Sequence, residues 1–153
     1  MKDIIDKDLG YKKIFMEMGY FARRGGPAVK VGIQGPEAEM VHENADGLTN
    51  VKLGLTHEYG SKAMKIPERS HWRAVFDENS RRYLEQITKA VATFKSANEL
   101  IGEIRMVGEE YKTDVLMFLK AGVPGNPGGK VRHLHQTGQY WNSFSAVMDW
   151  LAG

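Results

Sequence analysis

Apolar residues in the first segment, Asp3 to Arg24, recur every three or four positions: Tyr11, Ile14, Phe15, Met18 and Phe21 share one face. That period predicts an amphipathic helix. It should end at Arg23-Arg24-Gly25-Gly26-Pro27, where cations meet the negative end of the dipole, glycine takes a left-handed cap and proline forbids continuation. The pattern then changes to alternation. Val29, Val31 and Ile33 fall on one side of a predicted strand, and Val51, Leu53 and Leu55 repeat the alternation. Sequential strands usually neighbour one another, so these two are expected to pair antiparallel. Between them, residues 35–50 are polar and rich in turn formers, a long loop in which His42 is expected to face solvent.

Helical spacing returns after a connection without period, GSKAMKIPERS. Ser70 occupies a good N-cap position ahead of Trp72, Phe76, Tyr83, Ile87, Val91 and Phe94, which predicts a helix of about seven turns. Ser96 and Glu99 match a capping box and open a second helix with Leu100, Ile104, Val107, Tyr111, Val115 and Leu119 on its apolar face, terminating at Gly122; one long bent helix is the alternative. A Gly/Pro-rich loop over 121–133 follows. Phe144, Ala146, Met148 and Trp150 then alternate as a last strand from about Ser143, after a short helical turn begun at Thr137. The predicted architecture is α+β, a small, mainly antiparallel sheet packed against two long helices and an N-terminal helix, in one domain spanning 1–153.

Composition narrows the function. The chain has 21 Lys and Arg against 19 Asp and Glu, a net charge of +2, which disfavours a dedicated sequence-specific nucleic-acid binder. Cysteine is absent. That removes disulfides, thiol catalysis and thiolate metal sites, and matches folding in a reducing compartment, the cytoplasm by default. No apolar run approaches the ~18 residues of a membrane span, and MKDIIDKDLG lacks the apolar stretch of a signal peptide, so a soluble, unexported chain is expected.

Candidate catalytic motifs fail on spacing. A zinc-protease helix needs His-Glu-x-x-His; here His57-Glu58 is followed at the critical position by Ser61. The loop before Lys130 lacks P-loop spacing, because Pro124 stands where glycine is required and Val131 where a hydroxyl is required. His133 and His135 alternate and would point the same way in an extended segment, but two ligands do not make a zinc site. No nucleophile elbow places a serine. No cofactor and no metal are therefore expected.

Two blocks carry a resemblance. The first is His57-Glu58-Tyr59-Gly60, a short loop, then Ile66-Pro67-Glu68-Arg69-Ser70 leading to Trp72-Arg73; the second is Leu134-His135-Gln136-Thr137-Gly138-Gln139-Tyr140-Trp141-Asn142-Ser143-Phe144. Together they cover about thirty residues and resemble the neck or tail-completion proteins of tailed bacteriophages, the head-tail joining and virion morphogenesis group. In that group a His-Glu-aromatic-Gly strand end leads to an Ile-Pro-x-Arg-x-Phe helix start, and a Leu-Val-Asp-Thr-Gly-x-Leu-x-Asn-Ser-Ile segment precedes the last strand. His71-Trp72 and His135-Gln136 depart from the pattern.

The resemblance implies a structural virion protein without enzymatic activity, assembled in the host cytoplasm. It implies a six-fold homo-oligomeric ring between the portal or head-completion proteins and the tail, with genomic DNA passing non-specifically through the middle and no membrane partner. Gly60 and Pro67 would then form a structural joint. Lys62, Lys65, Arg69, Lys130 and Arg132 would be channel or interface candidates, with Trp141 and Trp150 at the core or against a neighbouring subunit. The tail terminator of the same virion is an alternative station. A small metal-dependent hydrolase using His57, Glu58, His133 and His135 is the alternative of another class.

Overall fold

The computed structural model describes residues 25–42, 46–121 and 138–150. The helix predicted over Asp3 to Arg24 and the Gly/Pro-rich loop after Ala121 lie outside the described residues. Within them the chain is α+β. Strand β1 (Pro27–Ile33) is followed by α1 (Pro36–Glu39), α2 (Asn50–Tyr59), α3 (Trp72–Thr93), α4 (Ala97–Ala121), α5 (Gln139–Asn142) and β2 (Phe144–Trp150).

The sheet joins the two ends of this order. β1 pairs antiparallel with β2, in a register running from Pro27 opposite Trp150 to Ile33 opposite Phe144. Alternation then places Val29, Val31 and Ile33 on one face with Met148, Ala146 and Phe144. That face meets the helices: Val29 packs beside Gly108 of α4, and Ile33 beside Gly54 of α2. The opposite face carries an ion pair between Lys30 and Asp149.

The predicted second strand is a helix, so it does not pair with β1. Residues 50–59 coil because Thr49 caps them, its side-chain oxygen accepting from the Lys52 amide at 3.4 Å. The buried positions, Asn50, Leu53, Gly54, His57 and Glu58, follow the helical period, whereas Leu55 is 55% exposed. His42 is also corrected, at 1% exposed. The loop that carries it closes on itself, the His42 amide donating to Leu48 O at 2.8 Å and the Asn50 amide to Met40 O at 2.9 Å, which turns the ring inward.

The two long helices are separate, because Phe94 takes an extended conformation between them. The capping box forms with its return bond shifted by one residue. The Glu99 amide donates to Ser96 Oγ at 3.2 Å, while the Glu99 carboxylate accepts from the Lys95 amide at 2.8 Å. On α4, Leu100, Ile104, Val107, Val115 and Leu119 are buried as their spacing predicts. On α3 the buried line is Val75, Tyr83 and Ala90, and Phe76 and Val91 are about half exposed. Tyr83 Oη donates to Asp114 at 2.6 Å and Gln86 Nε2 to Glu110 at 2.7 Å, fastening α3 to α4. Leu53, Val75, Val115, Leu119, Tyr140 and Phe144 form the main core cluster, with a smaller one around Ala90, Leu100 and Ile104.

Two glycines of α4 should respond oppositely to alanine. Nothing lies within 4 Å of the methyl position at Gly102, so Gly102→Ala is expected to raise stability by about 0.5–1 kcal/mol through helix propensity. At Gly108 the methyl would stand 2.3 Å from Val29 Cγ2, so Gly108→Ala should lower stability by about 1–3 kcal/mol by prising α4 from β1. Urea unfolding of both variants tests the pair.

Candidate functional site: the junction of α2 and α3

The end of α2 and the start of α3 are brought face to face by the loop between them. Gly60, at φ 71°, turns the chain out of α2. Ser61 and Ile66 exchange backbone hydrogen bonds at 2.8 and 2.9 Å, and the Arg69 amide donates back to His57 O at 2.7 Å. The first residues of α3, whose amides have no helical acceptors, therefore point at Glu58.

Glu58 is 5% exposed. Its Oε2 accepts from the amides of His71 (3.0 Å) and Trp72 (3.1 Å). Its Oε1 accepts from Ser70 Oγ (2.7 Å), the Arg73 amide (3.0 Å) and Arg73 Nε (3.1 Å). Arg73 completes the clamp by donating to Glu58 O at 2.9 Å and to the Glu68 carboxylate at 2.6 Å, and its guanidinium lies 4.7 Å from the Tyr59 ring centre. Burial works against the Glu58 charge, but the hydrogen bonds from the Arg73 amide, Ser70 and the His71 and Trp72 amides outweigh it and hold the carboxyl at about 2. The predicted Ser70 cap is thereby corrected: Ser70 donates to Glu58, and the carboxylate from the preceding helix caps α3.

His71 is fully buried. Its Nε2 lies 2.7 Å from Tyr140 Oη, and its Nδ1 lies 3.3 Å from Arg69 O and 3.4 Å from the Glu58 carboxylate. Burial pushes its pKa below the ordinary histidine value, against the opposing pull of Glu58. Burial also drives the Tyr140 hydroxyl well above the ordinary tyrosine range. Tyr140→Phe should cost about 1–3 kcal/mol, because it leaves a ring nitrogen of His71 buried without its partner; thermal unfolding of the variant measures this.

This arrangement does not suit acid-base catalysis. A general base needs a pKa near the operating pH and a free lone pair. Glu58 has neither, since about four lone-pair positions face five donors. Among the described residues no group of three His, Cys, Asp or Glu is placed to hold a metal ion, and no helix is long and apolar enough to cross a membrane. His133 and His135 of the hydrolase alternative lie outside the described residues.

The other sequence candidates are dispersed. Lys62 and Lys65 are exposed on the loop closed by Ser61 and Ile66, where they border a shallow concavity with Gly60 and Pro67, and Arg69 is half-buried beyond it. Trp141 is half-buried against the main core and Trp150 ends β2. Lys130 and Arg132 lie outside the described residues. Sequence reasoning missed Arg73 as the clamp on Glu58 and Tyr140 as the partner of His71. The latter two stand 69 positions apart, beyond any local spacing rule.

Beside the junction runs an open apolar groove of about 260 Å³ between the edge of β1, α2 and the starts of α3 and α4, lined by Val31, Ile33, Leu55, Tyr59, Trp72 and Tyr111 among others.

No family model, no curated protein and no solved structure matches this chain.

Proposed function

We propose that this chain is a structural protein of a tailed-phage virion, a neck or tail-completion component that forms a six-fold ring joining the portal side of the head to the tail around the DNA channel. The observation that supports this reading most is contact between the two resembling sequence blocks. His71 of the first lies 2.7 Å from the hydroxyl of Tyr140 in the second, and the Trp72 and Phe144 rings are centred 4.6 Å apart. These contacts pass through His71 and Trp72, where the chain departs from the group's pattern, and they bring the two blocks, from opposite ends of the helical region, to one packed centre, as expected of segments that act together to build a scaffold.

The polar chemistry of the first block agrees with a structural role, because the Glu58 donors are all committed to joining α2 to α3. In a ring, the exposed Lys62 and Lys65 would meet a phosphate backbone through screened, sequence-independent contacts. The test is the solution mass by light scattering across concentration and salt, with the portal and tail proteins of the same virion added. About six protomers of 17.2 kDa, alone or on addition of those partners, is the expected result. A strict monomer under every condition would overturn the proposal, as would an enzymatic activity abolished by His57→Ala alone.

A further inference from the structure

Among the described residues the sheet has two strands, so β1 is hydrogen-bonded along one edge. The side-chain amide of Gln34 fixes which backbone groups lie on the other. It donates to Lys30 O at 2.8 Å and to Ser145 O at 3.3 Å, one carbonyl from each strand, so both face the space between the strands. Alternate residues of an antiparallel ladder face opposite ways. The amides and carbonyls of Val29, Val31 and Ile33 therefore point outward, and among the described residues nothing pairs with them. The groove adjoins this edge at Val31 and Ile33, and its far wall is the face of α2 that leaves Leu55 and Tyr59 55% and 61% exposed. We propose that this edge and groove together are a docking site for an extended segment of a partner protein, which adds as a strand beside β1 with an apolar residue at every second position.

Hydrogen bonding and shape select this occupant. An unpaired strand edge is a row of donors and acceptors that another extended backbone matches, whereas a helix pairs its own groups internally. Side chains of the added strand alternate as those of β1 do. One set lies on the face of Val31 and Ile33, where Trp72 and Tyr111 also line the groove, and is apolar. The other set lies on the face that carries the Lys30–Asp149 ion pair and meets water. From Val29 to Ile33 the strand rises about 13 Å, so about five residues of partner are enough. The second wall also argues against a second copy's β1. A strand already in a sheet carries its neighbour about 4.8 Å beyond it, on the side where α2 stands, so the occupant comes from a segment outside any sheet.

The probe is a soluble peptide of alternating valine and threonine closed by lysines, with an N-methylated copy that cannot pair as a strand. Added to the full chain, the first is expected to slow amide exchange at Val29, Val31 and Ile33 several-fold, read by nuclear magnetic resonance, while the methylated copy leaves exchange unchanged. Equal effects of the two peptides, protection confined to other residues, or no binding at millimolar peptide would each overturn the proposal. So would amides at these positions that already exchange slowly in the free monomer, which marks an edge filled from within the chain, or that gain protection only when the chain self-associates. Leu55→Asp, at an exposed position of the groove wall, should weaken peptide binding several-fold with unchanged circular dichroism. Leu84→Asp, exposed on α3 outside the groove lining, should leave it unchanged, and equal affinities of the two variants count against the groove. None of these results depends on the ring proposed above, so either reading can fail alone.

Discussion

Glu58→Ala is expected to destabilise the fold by about 3–5 kcal/mol, the range for removing one partner of a buried charge pair. The carboxylate accepts from three backbone amides at the start of α3, from Ser70 and from Arg73. An ordinary N-cap supplies one such bond and is worth about 1 kcal/mol. An independent route gives a similar figure, because a carboxyl whose pKa falls from 4.5 to about 2 on folding contributes on the order of 3 kcal/mol. Against a typical total of about 5–15 kcal/mol the loss is large. Glu58→Gln keeps an acceptor but loses the charge, and should fall between. Urea unfolding followed by circular dichroism tests the series, and a loss below about 1 kcal/mol would mean that Glu58 acts as no more than an ordinary cap.

The same groups set the acid limit. Glu58 has a depressed folded pKa, so its contribution is complete above about pH 4.5 and is lost as pH falls from there toward about 2. His71 is also depressed on folding, by burial. The unfolded chain therefore takes up that proton first, and stability begins to decline below about pH 6.5. The difference between the native chain and Glu58→Ala should stay constant near neutrality and shrink below pH 4.5. A difference that persists undiminished to pH 2 would contradict the assigned cause.

What the chain reveals before its structure depends on whether burial and hydrophobicity coincide. On α4 they do, and every residue of the predicted apolar face except the half-buried Tyr111 is buried. On β2 they agree in part: Phe144 is buried and Met148 packs against the smaller core, in register with Ile33 and Val29, whereas Val147 on the other face is exposed. On α2 they part company. Its buried positions are filled by Asn50, Gly54, His57 and Glu58 beside one leucine, while Leu55 and Tyr59 are exposed. The apolar residues consequently alternate like a strand although the backbone is a helix. Polar residues can occupy those places because neighbouring elements satisfy them: Asn50 Nδ2 donates to Glu37 O at 2.8 Å, and Glu58 receives the start of α3. The site was legible only as a linear block, since a carboxylate capping a helix that begins fourteen positions later follows no local pattern.

Gly60→Ala is expected to lower stability by about 2–6 kcal/mol, through two effects acting at one residue. Its backbone, φ 71° and ψ 173°, lies in a region essentially reserved for glycine, where another residue costs about 1–3 kcal/mol. A methyl group there would also stand 2.8 Å from Glu68 N and 3.1 Å from Ile66 O. Both are backbone atoms that cannot rotate aside, and overpacking of this kind adds about 1–3 kcal/mol. Gly47 offers a positive-φ comparison without a clash: it has φ 79° with nothing within 4 Å, so Gly47→Ala should cost only about 1–2 kcal/mol. The clash at Gly60 acts by pushing Glu68 away, and with it the Arg69 amide bonded to His57 O and the α3 amides aimed at Glu58. Its effect should therefore overlap with that of Glu58→Ala. The double variant is expected to lose less than the sum of the two single losses, by about 0.5–3 kcal/mol. Strict additivity would show instead that the turn at Gly60 and the cap at Glu58 stabilise the fold independently.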